Sequence, residues 1–301
     1  MIQGFKVVDG HAHTYMDGLA GRIIGSFTEL HMMEPTASLG PGPMDALLEK
    51  MRRDGVDYTV VANFGPVKAI DKINRWTLDV CEKNPCLIPL VSVHPGMSAE
   101  EFQSLVDDGA KGVKMHNGIQ GFDACDPGLE EIYRICADCG LPITLHCGEV
   151  SRLHLNDLTD EEHFERAVRE HPDNMFVLTH LAEGNPETFC RLAENYCNFI
   201  YDTSIAFSGD HCIHRIHDDF WEDDGNAAKA FRTVGCDRIA FGSDYPYGNP
   251  ISDIVRILSL DLTDREKEAV LGGNTLRTYG FRRRKDPSPC PYPPTCGIAC
   301  R

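Results

Sequence analysis

The stretch Lys6-Val7-Val8-Asp9-Gly10-His11-Ala12-His13 is a short apolar run that ends in polar residues, and this pattern recurs along the whole chain. Apolar runs of strand length occur eight times, separated by helix-like stretches. They cover residues 6–11, 58–63, 87–93, 112–116, 142–147, 175–180, 199–203 and 238–244. Regular alternation of strand and helix indicates a parallel sheet, and eight strands are the number that closes a (β/α)8 TIM barrel. We therefore predict an α/β barrel.

The segments between the runs carry helical signals. Amphipathic stretches span residues 44–53, 69–82, 99–108, 128–138, 160–170, 186–195 and 227–234. Glycines 55, 109, 140 and 235 stand where a helix is expected to end before the next strand. Thr263 and Glu266 have capping-box spacing, and the last helix is expected to close at residues 272–274. An open doubly wound sheet is the rival architecture, but no glycine-rich phosphate-binding turn follows the first strand.

Composition limits the classes of partner. The chain has 301 residues and a formal net charge of −17, with 29 basic and 46 acidic side chains, so we expect neither nucleic acid nor an anionic membrane as a partner. No run approaches the ~18 apolar residues of a membrane span. Thirteen cysteines lie scattered instead of at framework spacings, and no secretory signal is apparent, so we expect a cytoplasmic protein with reduced thiols.

The predicted domain organisation is one barrel over residues 1–281 and a short irregular C-terminal tail over residues 282–301, first basic and then rich in proline and cysteine. Cys290, Cys296 and Cys300 lack paired C-x-x-C spacing and have no histidine nearby, which makes a zinc site there a poor fit.

Polar residues at the ends of the runs form the candidate site. His11 and His13 are two residues apart in a strand and therefore share a face. His146, His180 and Asp244 end the fifth, sixth and eighth runs. In a barrel, the C-terminal ends of all strands meet at one mouth, where catalytic groups gather. One histidine after an apolar run is usually a hydrogen-bonded core residue, but four with an aspartate indicate a shared task.

Imidazole and carboxylate groups are ligands of catalytic divalent metals. They suit Zn2+, Mn2+ and Fe2+, and a catalytic site keeps a position open for water. We expect one or two ions, with Zn2+ as the first choice.

Several motifs resemble the amidohydrolase superfamily, most closely its amidohydrolase-related (amidohydrolase 2) branch. They are His11-Ala12-His13, the strand-end His146 and His180, Gly242-Ser243-Asp244-Tyr245-Pro246 and Leu271-Gly272-Gly273-Asn274. The resemblance extends from Val7 to about Tyr279, and that branch contains hydrolases, lactonases and decarboxylases.

The resemblance implies roles for individual residues. His11, His13, His146 and Asp244 would bind the metal, and His180 would bind a second metal or act as acid and base. Lys114, at the fourth strand, stands where two-metal members carry a carbamylated bridging lysine. It could equally pair with a carboxylate or bind substrate.

The expected chemistry is hydrolysis of an amide, cyclic amide or lactone by a metal-activated water. Asp244 would be both a weak metal ligand and the general base, and His180 would polarise the attacked carbonyl. Candidate substrate contacts are Tyr15, the segment 25–33, His94, His116, Asn117, Glu149, Tyr245 and Tyr247. Glu149 could instead accept a hydrogen bond from a ligand histidine. The partner is expected to be a small-molecule substrate, and a homo-oligomer remains open.

Two alternatives stay open for the function. The first is non-oxidative decarboxylation of a small aromatic or dienoic acid, for which Arg22 and Arg152 are the nearest candidate arginines. The second is a barrel without catalytic activity that serves as a binding protein. The sequence does not identify the substrate, because specificity depends on loop shapes.

Two further features have weaker interpretations. Histidines 211, 214 and 217 recur at three-residue spacing and suggest either a second metal site or a solvated helix face. Trp221 and the acidic stretch 218–224 are interpreted as part of a lid.

Overall fold

A computed structural model describes residues 2–30, 39–148, 158–207 and 218–280 of the chain. Each of the eight apolar runs predicted as strands contains a strand in the structure. The strands are β1 (Val8–Ala12), β2 (Tyr58–Val61), β3 (Leu87–Pro89), β4 (Val91–Ser92), β5 (Val113–Met115), β6 (Ile143–Leu145), β7 (Phe176–Leu178), β8 (Phe199–Asp202) and β9 (Ile239–Ala240). The third predicted run, expected as one strand, is divided at Leu90 into β3 and β4.

The strands are parallel and follow their order in the chain. Strands β1 to β3 form one hydrogen-bonded set and β4 to β9 form the other. Leu90 bridges the sets, since its N–H donates to the Val61 carbonyl at 3.0 Å. The last strand position returns to the first, where the Gly10 N–H donates to Phe241 O at 2.7 Å and the Asp244 N–H to His11 O at 2.8 Å. The sheet is therefore a closed barrel.

Gly10 is required at this closure. A Cβ atom built on Gly10 would lie 2.8 Å from Phe241 O, closer than a carbon and a carbonyl oxygen can approach. Any other residue would push β1 away from the last strand position, next to the site that the two strands share.

Helices surround the barrel. They are α1 (Asp17–Leu30), α2 (Met44–Asp54), α3 (Ile70–Glu82), α4 (Ala99–Asp107), α5 (Asn117–Gln120), α6 (Glu130–Cys139), α7 (Glu161–Glu170), α8 (His180–Glu183, a single turn), α9 (Pro186–Asn195), α10 (Asp218–Glu222), α11 (Asp224–Val234), α12 (Pro250–Ser259), α13 (Asp264–Glu268) and α14 (Asn274–Thr278). Short 3-10 turns lie at Val67–Ala69, Pro127–Leu129 and Cys236–Arg238. The capping box of Thr263 and Glu266 is present at the start of α13.

Two apolar clusters account for most of the packing. Alternate residues of one strand belong to different clusters, as Val60 and Val61 do in β2. The smaller cluster fills the inside of the barrel. It combines one face of separate strands, with Val8, Val60, Ile88, Val177 and Ile200 among its residues. The larger cluster packs the opposite faces of the strands against the helices. This alternation is what a barrel with a filled interior requires.

Three sequence predictions need correction. Residues 25–30 of the segment 25–33, expected as a loop, belong to helix α1, and residues 31–33 lie outside the described ranges. Trp221 is not part of a lid: it is 1% exposed and packs against Phe189 and Phe231.

The last helix does not close at residues 272–274. The π-helical turn Ala269–Gly273 runs directly into α14. Gly272 is needed in this turn because a Cβ there would lie 2.6 Å from the Lys6 carbonyl oxygen and 3.1 Å from Val8 N, so the turn packs directly against the start of β1.

Across the described residues, no helix has the length and apolar character needed to cross a membrane. The nine described cysteines are free thiols.

Candidate metal centre at the barrel mouth

Three buried side chains converge where the first and last strands end. His13 Nε2 lies 3.0 Å from Asp244 Oδ1, and His11 Nε2 lies 3.6 Å from the same oxygen. The ligand atoms of His11, His13 and Asp244 all fall within 4.8 Å of one another. Among the described residues this is the one group of three or more His, Cys, Asp or Glu side chains with such spacing. These three sequence candidates therefore come together as expected.

A bulge in β1 helps to aim these histidines. The pairing of β1 with β2 shifts register between Asp9 and Ala12. Val8 belongs to the smaller apolar cluster inside the barrel. Regular alternation of side chains along β1 would therefore place His11, three residues later, on the opposite face of the strand. The bulge re-aims the side chain, and His11 Nε2 consequently lies 3.2 Å from Lys114 Nζ on β5.

Asp202, at the end of β8, orients two histidines at once. Its Oδ2 lies 2.8 Å from His11 Nδ1, and its Oδ1 accepts a hydrogen bond from the backbone N–H of His180 at 2.9 Å. Ser204 also contacts both rings, with Oγ at 3.2 Å from His11 Nδ1 and 2.9 Å from His180 Nδ1. With His11 Nδ1–H donating to Asp202, the lone pair of Nε2 is turned toward Asp244.

His146 and His180 form a second pair beside the three-residue group. His180 Nε2 lies 3.2 Å from His146 Nδ1, and the His11 and His180 rings stack with their centroids 5.5 Å apart. The sequence interpretation assigned His146 to the metal ligands together with His11, His13 and Asp244, and gave His180 either a second metal or an acid–base role. His146 and His180 lie next to the group of His11, His13 and Asp244 and outside it, so their role as ligands stays a prediction.

The turn that carries His180 has an unusual backbone. His180, Leu181, Ala182 and Glu183 all have positive φ values, of 58°, 51°, 53° and 69°. L-residues pay a steric cost in this left-handed region. The carbonyl of Gly184, at the end of the turn, accepts a hydrogen bond from Trp221 Nε1 at 2.6 Å. The turn redirects the chain directly after β7 and leaves His180 facing His146.

Lys114 is fully buried at the centre of the mouth. Burial lowers the pKa of its ammonium group to about 8, although the charges of Asp202 and Asp244 raise it. A larger fraction of the amine is therefore neutral near neutral pH than in an ordinary lysine. The three uses considered from the sequence, a carbamylated bridge, a pairing with a carboxylate and substrate binding, are all compatible with this position.

The site's charge balance is set by burial and by the convergence of opposite charges. Burial raises the pKa of Asp244, but the hydrogen bond from His13 and the charges of His11, His13 and His180 lower it more, so the pKa lies well below its usual range. Burial lowers the pKa of His13 to about 4, despite the contact with Asp244. At neutral pH the site thus offers an ionised carboxylate and a neutral imidazole, which are the protonation states a metal requires.

The donor set fits a divalent cation. Two imidazoles and a carboxylate are three of the four ligands of a catalytic zinc site, and they also suit Mn2+ and Fe2+. His13 Nδ1 is buried without a hydrogen-bond partner among the described residues. No hydrogen bond from these residues to Nδ1 therefore competes with the orientation in which Nε2 faces Asp244. Asp202 and Asp244 place two buried negative charges beside His11 and His13, and these charges would compensate that of a bound cation.

Some of the predicted substrate-contact residues lie beside the site histidines, and others do not. His116 stacks on His146 at a centroid distance of 3.7 Å, and the hydroxyls of Tyr15 and Tyr247 lie 2.7 Å apart beside His13. Asn117 instead donates to the Phe122 carbonyl at 2.9 Å, so its amide serves a local turn.

Two more candidates make backbone contacts. His94 Nδ1 accepts a hydrogen bond from the Gly96 N–H at 3.1 Å, and Tyr245 O accepts one from the His13 N–H at 2.6 Å. Glu149, Arg152 and the histidines 211, 214 and 217 lie outside the described residues. So does the predicted tail, of which residues 282–301 were expected to be irregular.

Sequence reasoning missed four residues that build the site. Asp202 and Ser204 follow the apolar run 199–201, a strand-end signal of the same kind as that of His146. Asp9 accepts hydrogen bonds from Ser243 N at 2.9 Å and Ser243 Oγ at 2.5 Å, which ties β1 to the residue before Asp244. No comparable sequence signal marked Phe64, whose ring lies 5.2 Å from His13 and 4.5 Å from His116.

An apolar cavity of about 420 Å³ adjoins the mouth. Thr14 and Phe64, the neighbours of His13, form part of its wall, and Arg22 of α1 lies on the same wall. Of the two arginines singled out from the sequence, Arg22 is therefore beside the site.

The comparisons with known proteins agree with this architecture. A model of the family described as Amidohydrolase matches residues 8–281. A search of curated proteins finds no match to the chain. An uncharacterised TIM-barrel protein from Bordetella bronchiseptica is 21% identical with a TM-score of 0.69, covering 91% of this chain and 98% of that one.

Two structures whose names refer to a reaction are also similar. 5-Carboxyvanillate decarboxylase from Novosphingobium aromaticivorans, in complex with manganese and 4-hydroxy-3-methoxy-5-nitrobenzoic acid, is 16% identical with a TM-score of 0.69, covering 92% of this chain and 97% of that one. A protein from Pseudomonas putida provisionally named 2-pyrone-4,6-dicarboxylic acid hydrolase is 17% identical with a TM-score of 0.65, covering 93% and 99%. At these identities the likeness shows the TIM-barrel fold.

Proposed function

The chain belongs to the amidohydrolase family, and from that premise we propose that it is a metal-dependent hydrolase that cleaves a C–N or C–O bond of a small substrate. The substrate would be an amide, a cyclic amide or a lactone. The observation that carries the proposal is the convergence of His11, His13 and Asp244, whose ligand atoms lie within 4.8 Å of one another at the mouth.

The proposed metal ligands are the Nε2 atoms of His11 and His13 and the Oδ1 atom of Asp244, with His146 as a further candidate. Zn2+ is the first choice, and Mn2+ or Fe2+ would suit the same donors. When bound, such an ion lowers the pKa of a coordinated water to about 7.

Asp244 is the proposed proton acceptor. Its carboxylate remains ionised because the surrounding histidines hold its pKa below the usual range. It lies 3.0 Å from His13 within the group, where it could take a proton from the attacking water and return it to the leaving group.

His180 is the proposed electrophile for the substrate carbonyl. Its Nδ1 is within 2.9 Å of both the carbonyl oxygen and the hydroxyl of Ser204. A ring held in this way keeps Nε2 toward His146 and the mouth. Because Nδ1–H is used by the Ser204 carbonyl, Nε2 could donate only from the doubly protonated imidazolium, which would give its Nε2 proton to the oxygen that gains charge when the carbonyl is attacked and would remain as the neutral ring.

The test is a substrate panel assayed with metal-loaded and chelated protein. Hydrolysis of a neutral lactone or amide that disappears with chelator and returns with Zn2+ or Mn2+ would support the proposal. Protein that stays inactive toward every lactone and amide, and that binds no metal, would instead support a barrel used only for binding.

A second candidate function is non-oxidative decarboxylation of a small aromatic or dienoic acid. The favouring observation is Arg22, which lines the cavity beside His13 together with the aromatic rings of Phe27 and Phe64. Release of CO2 from a panel of aromatic acids, with no hydrolysis of lactones or amides, would decide for this second reaction.

A further inference from the structure

The cavity beside the mouth is built from two helices and the ends of two strands. Helix α1 contributes Leu19, Arg22, Ile23, Ser26 and Phe27, and helix α3 with its preceding turn contributes Ala69, Lys72, Ile73 and Trp76. Residues 14–16 and 63–66, which follow β1 and β2, complete most of the wall. Its volume of about 420 Å³ lies in the range of small-molecule sites.

The cavity adjoins the reacting groups without containing them. His11, His13 and Asp244 are not among its lining residues, whereas Thr14 and Phe64 are. The Phe64 ring also contacts the His13 and His116 rings, and Lys114 Nζ lies 5.9 Å from its centroid. Phe64 is therefore a partition with the polar mouth on one side and the apolar cavity on the other.

The charges of the wall differ from those of the rest of the chain. The protein has 46 acidic and 29 basic side chains, yet Arg22 and Lys72 are the charged residues of the described wall and both are cations. Neither forms an ion pair with another described residue, and both are exposed. Two exposed cations at the edge of an apolar pocket, neither paired within the described residues, complement an anion that carries an apolar body.

We infer that this cavity binds the apolar body of the substrate, while Arg22 and Lys72 bind an anionic group of that substrate that is separate from the reacting bond. The substrate class is thus an amphipathic small anion, with a ring or alkyl chain between its charge and the group that reaches the histidines. This inference rests on the proposed function in one respect, namely that the mouth is the reaction site.

A binding experiment tests the inference without turnover. The probes are 4-phenylbutyrate, its uncharged amide, and butyrate, which lacks the ring. Each is titrated into the full chain, and binding is followed by ligand-observed NMR and by the emission of Trp76, since the only other tryptophan, Trp221, is 1% exposed and outside the wall. For a probe of this size we expect a Kd on the order of 1 mM.

The variants Arg22→Gln and Lys72→Gln separate charge from shape. Each should weaken 4-phenylbutyrate binding about threefold, and together about tenfold, because both cations are partly solvated. Binding of the amide should stay unchanged. Arg75→Gln is the matched control, since Arg75 is exposed on the same helix α3 but does not line the cavity. Ser26→Phe, which fills the cavity from α1, should weaken the acid and the amide alike.

The measurements are repeated after chelation so that binding of the carboxylate to a metal is recognised. The inference is overturned if acid and amide bind equally, if the double variant behaves like Arg75→Gln, if no probe binds, or if chelation alone abolishes binding. Metal-dependent hydrolysis of a neutral lactone together with any of these outcomes would leave the proposed function intact and remove only the substrate class.

Discussion

His11 Nδ1 and Asp202 Oδ2 lie 2.8 Å apart, and both side chains are fully inaccessible to solvent. A carboxylate in this position fixes the ring orientation and the tautomer of a histidine that uses its other nitrogen as a ligand. The pair joins β1 to β8 and thereby connects the group of His11, His13 and Asp244 with the turn that carries His180.

Asp202→Asn should therefore weaken metal binding by about 10- to 100-fold while the fold is retained. The amide would be a poorer acceptor for His11 Nδ1–H and would no longer hold the tautomer. Competition with a chelating dye measures the affinity for Zn2+. Asp261→Asn, on a side chain that is 99% exposed, is the control. Equal affinities of the two variants would contradict the orienting role.

Asp244→Asn should lower kcat by at least about 100-fold, because it removes the proposed proton acceptor. The two histidine ligands remain, so metal binding should be weakened but measurable at saturating Zn2+. Turnover and metal content are measured on the same preparation. Near-normal turnover with the metal bound would disprove the role assigned to Asp244.

Elemental analysis should find one metal ion per chain at full activity. The reason is that the described residues contain one suitable group, that of His11, His13 and Asp244, and that Lys114 Nζ lies 3.2 Å from His11 Nε2, a ligand atom of that one group. Lys114→Met should accordingly retain its metal. Two ions per chain, with activity restored to depleted enzyme by bicarbonate, would instead establish Lys114 as a carbamylated bridge.

Removing the metal should lower the melting temperature by several degrees. A ligand that binds the native state at about 100 times its Kd stabilises it by about 2.7 kcal/mol, and a chain of this size loses a few degrees per kcal/mol. Thermal unfolding with and without chelator measures the difference. His13→Ala should show the lower value in both conditions, whereas a chelator effect of the same size in His13→Ala would place the metal elsewhere.

A pH-dependent contribution to stability is expected where α7 meets α9. Arg191 holds both oxygens of Glu165, at 2.9 and 2.7 Å, and Tyr196 donates to it at 3.0 Å. These contacts lower the pKa of Glu165. The unfolded state then binds the proton first, so the stabilisation is present above the unfolded pKa of about 4.3 and is lost as the pH falls through the folded value.

Glu165→Gln should therefore cost about 0.5 kcal/mol at pH 7, since the pair is partly exposed, and nothing near pH 2. Urea unfolding at both pH values checks this difference. Glu162→Gln, on the exposed face of the same helix, is the control. A cost for Glu165→Gln that is the same at both pH values would point to lost packing instead of lost charge.

The barrel and the convergence of the first and last strands could be predicted from sequence because both depend on local patterns. Strand-end polar residues such as His11 and Asp244 are recognisable from apolar runs alone, and a closed parallel barrel then brings them together. The division of residues 87–93 at Leu90 was not predictable, because it depends on how Leu90 bonds to Val61 across the sheet.

Two other features needed tertiary information. The positive φ of His180 contradicts local preference and is held by contacts with Asp202, the last residue of β8, and with Ser204 in the turn that follows. Trp221 lies in an acidic stretch that suggested a surface lid, but the rings of Phe189 and Phe231 pack against it and bury it. Phe189 belongs to α9 and Phe231 to α11, so neither contact could be recognised from the sequence around Trp221.

The left-handed turn at His180–Glu183 has a consequence for engineering. Each L-residue there costs roughly 1–2 kcal/mol, so an isolated copy of this tetrapeptide would relax to another shape. Grafts that reshape the rim of the barrel should keep residues 180–184 and Trp221 as one transplanted unit, with splice points outside it. Exchanging the tetrapeptide alone would keep the histidine but lose the backbone conformation that orients its ring.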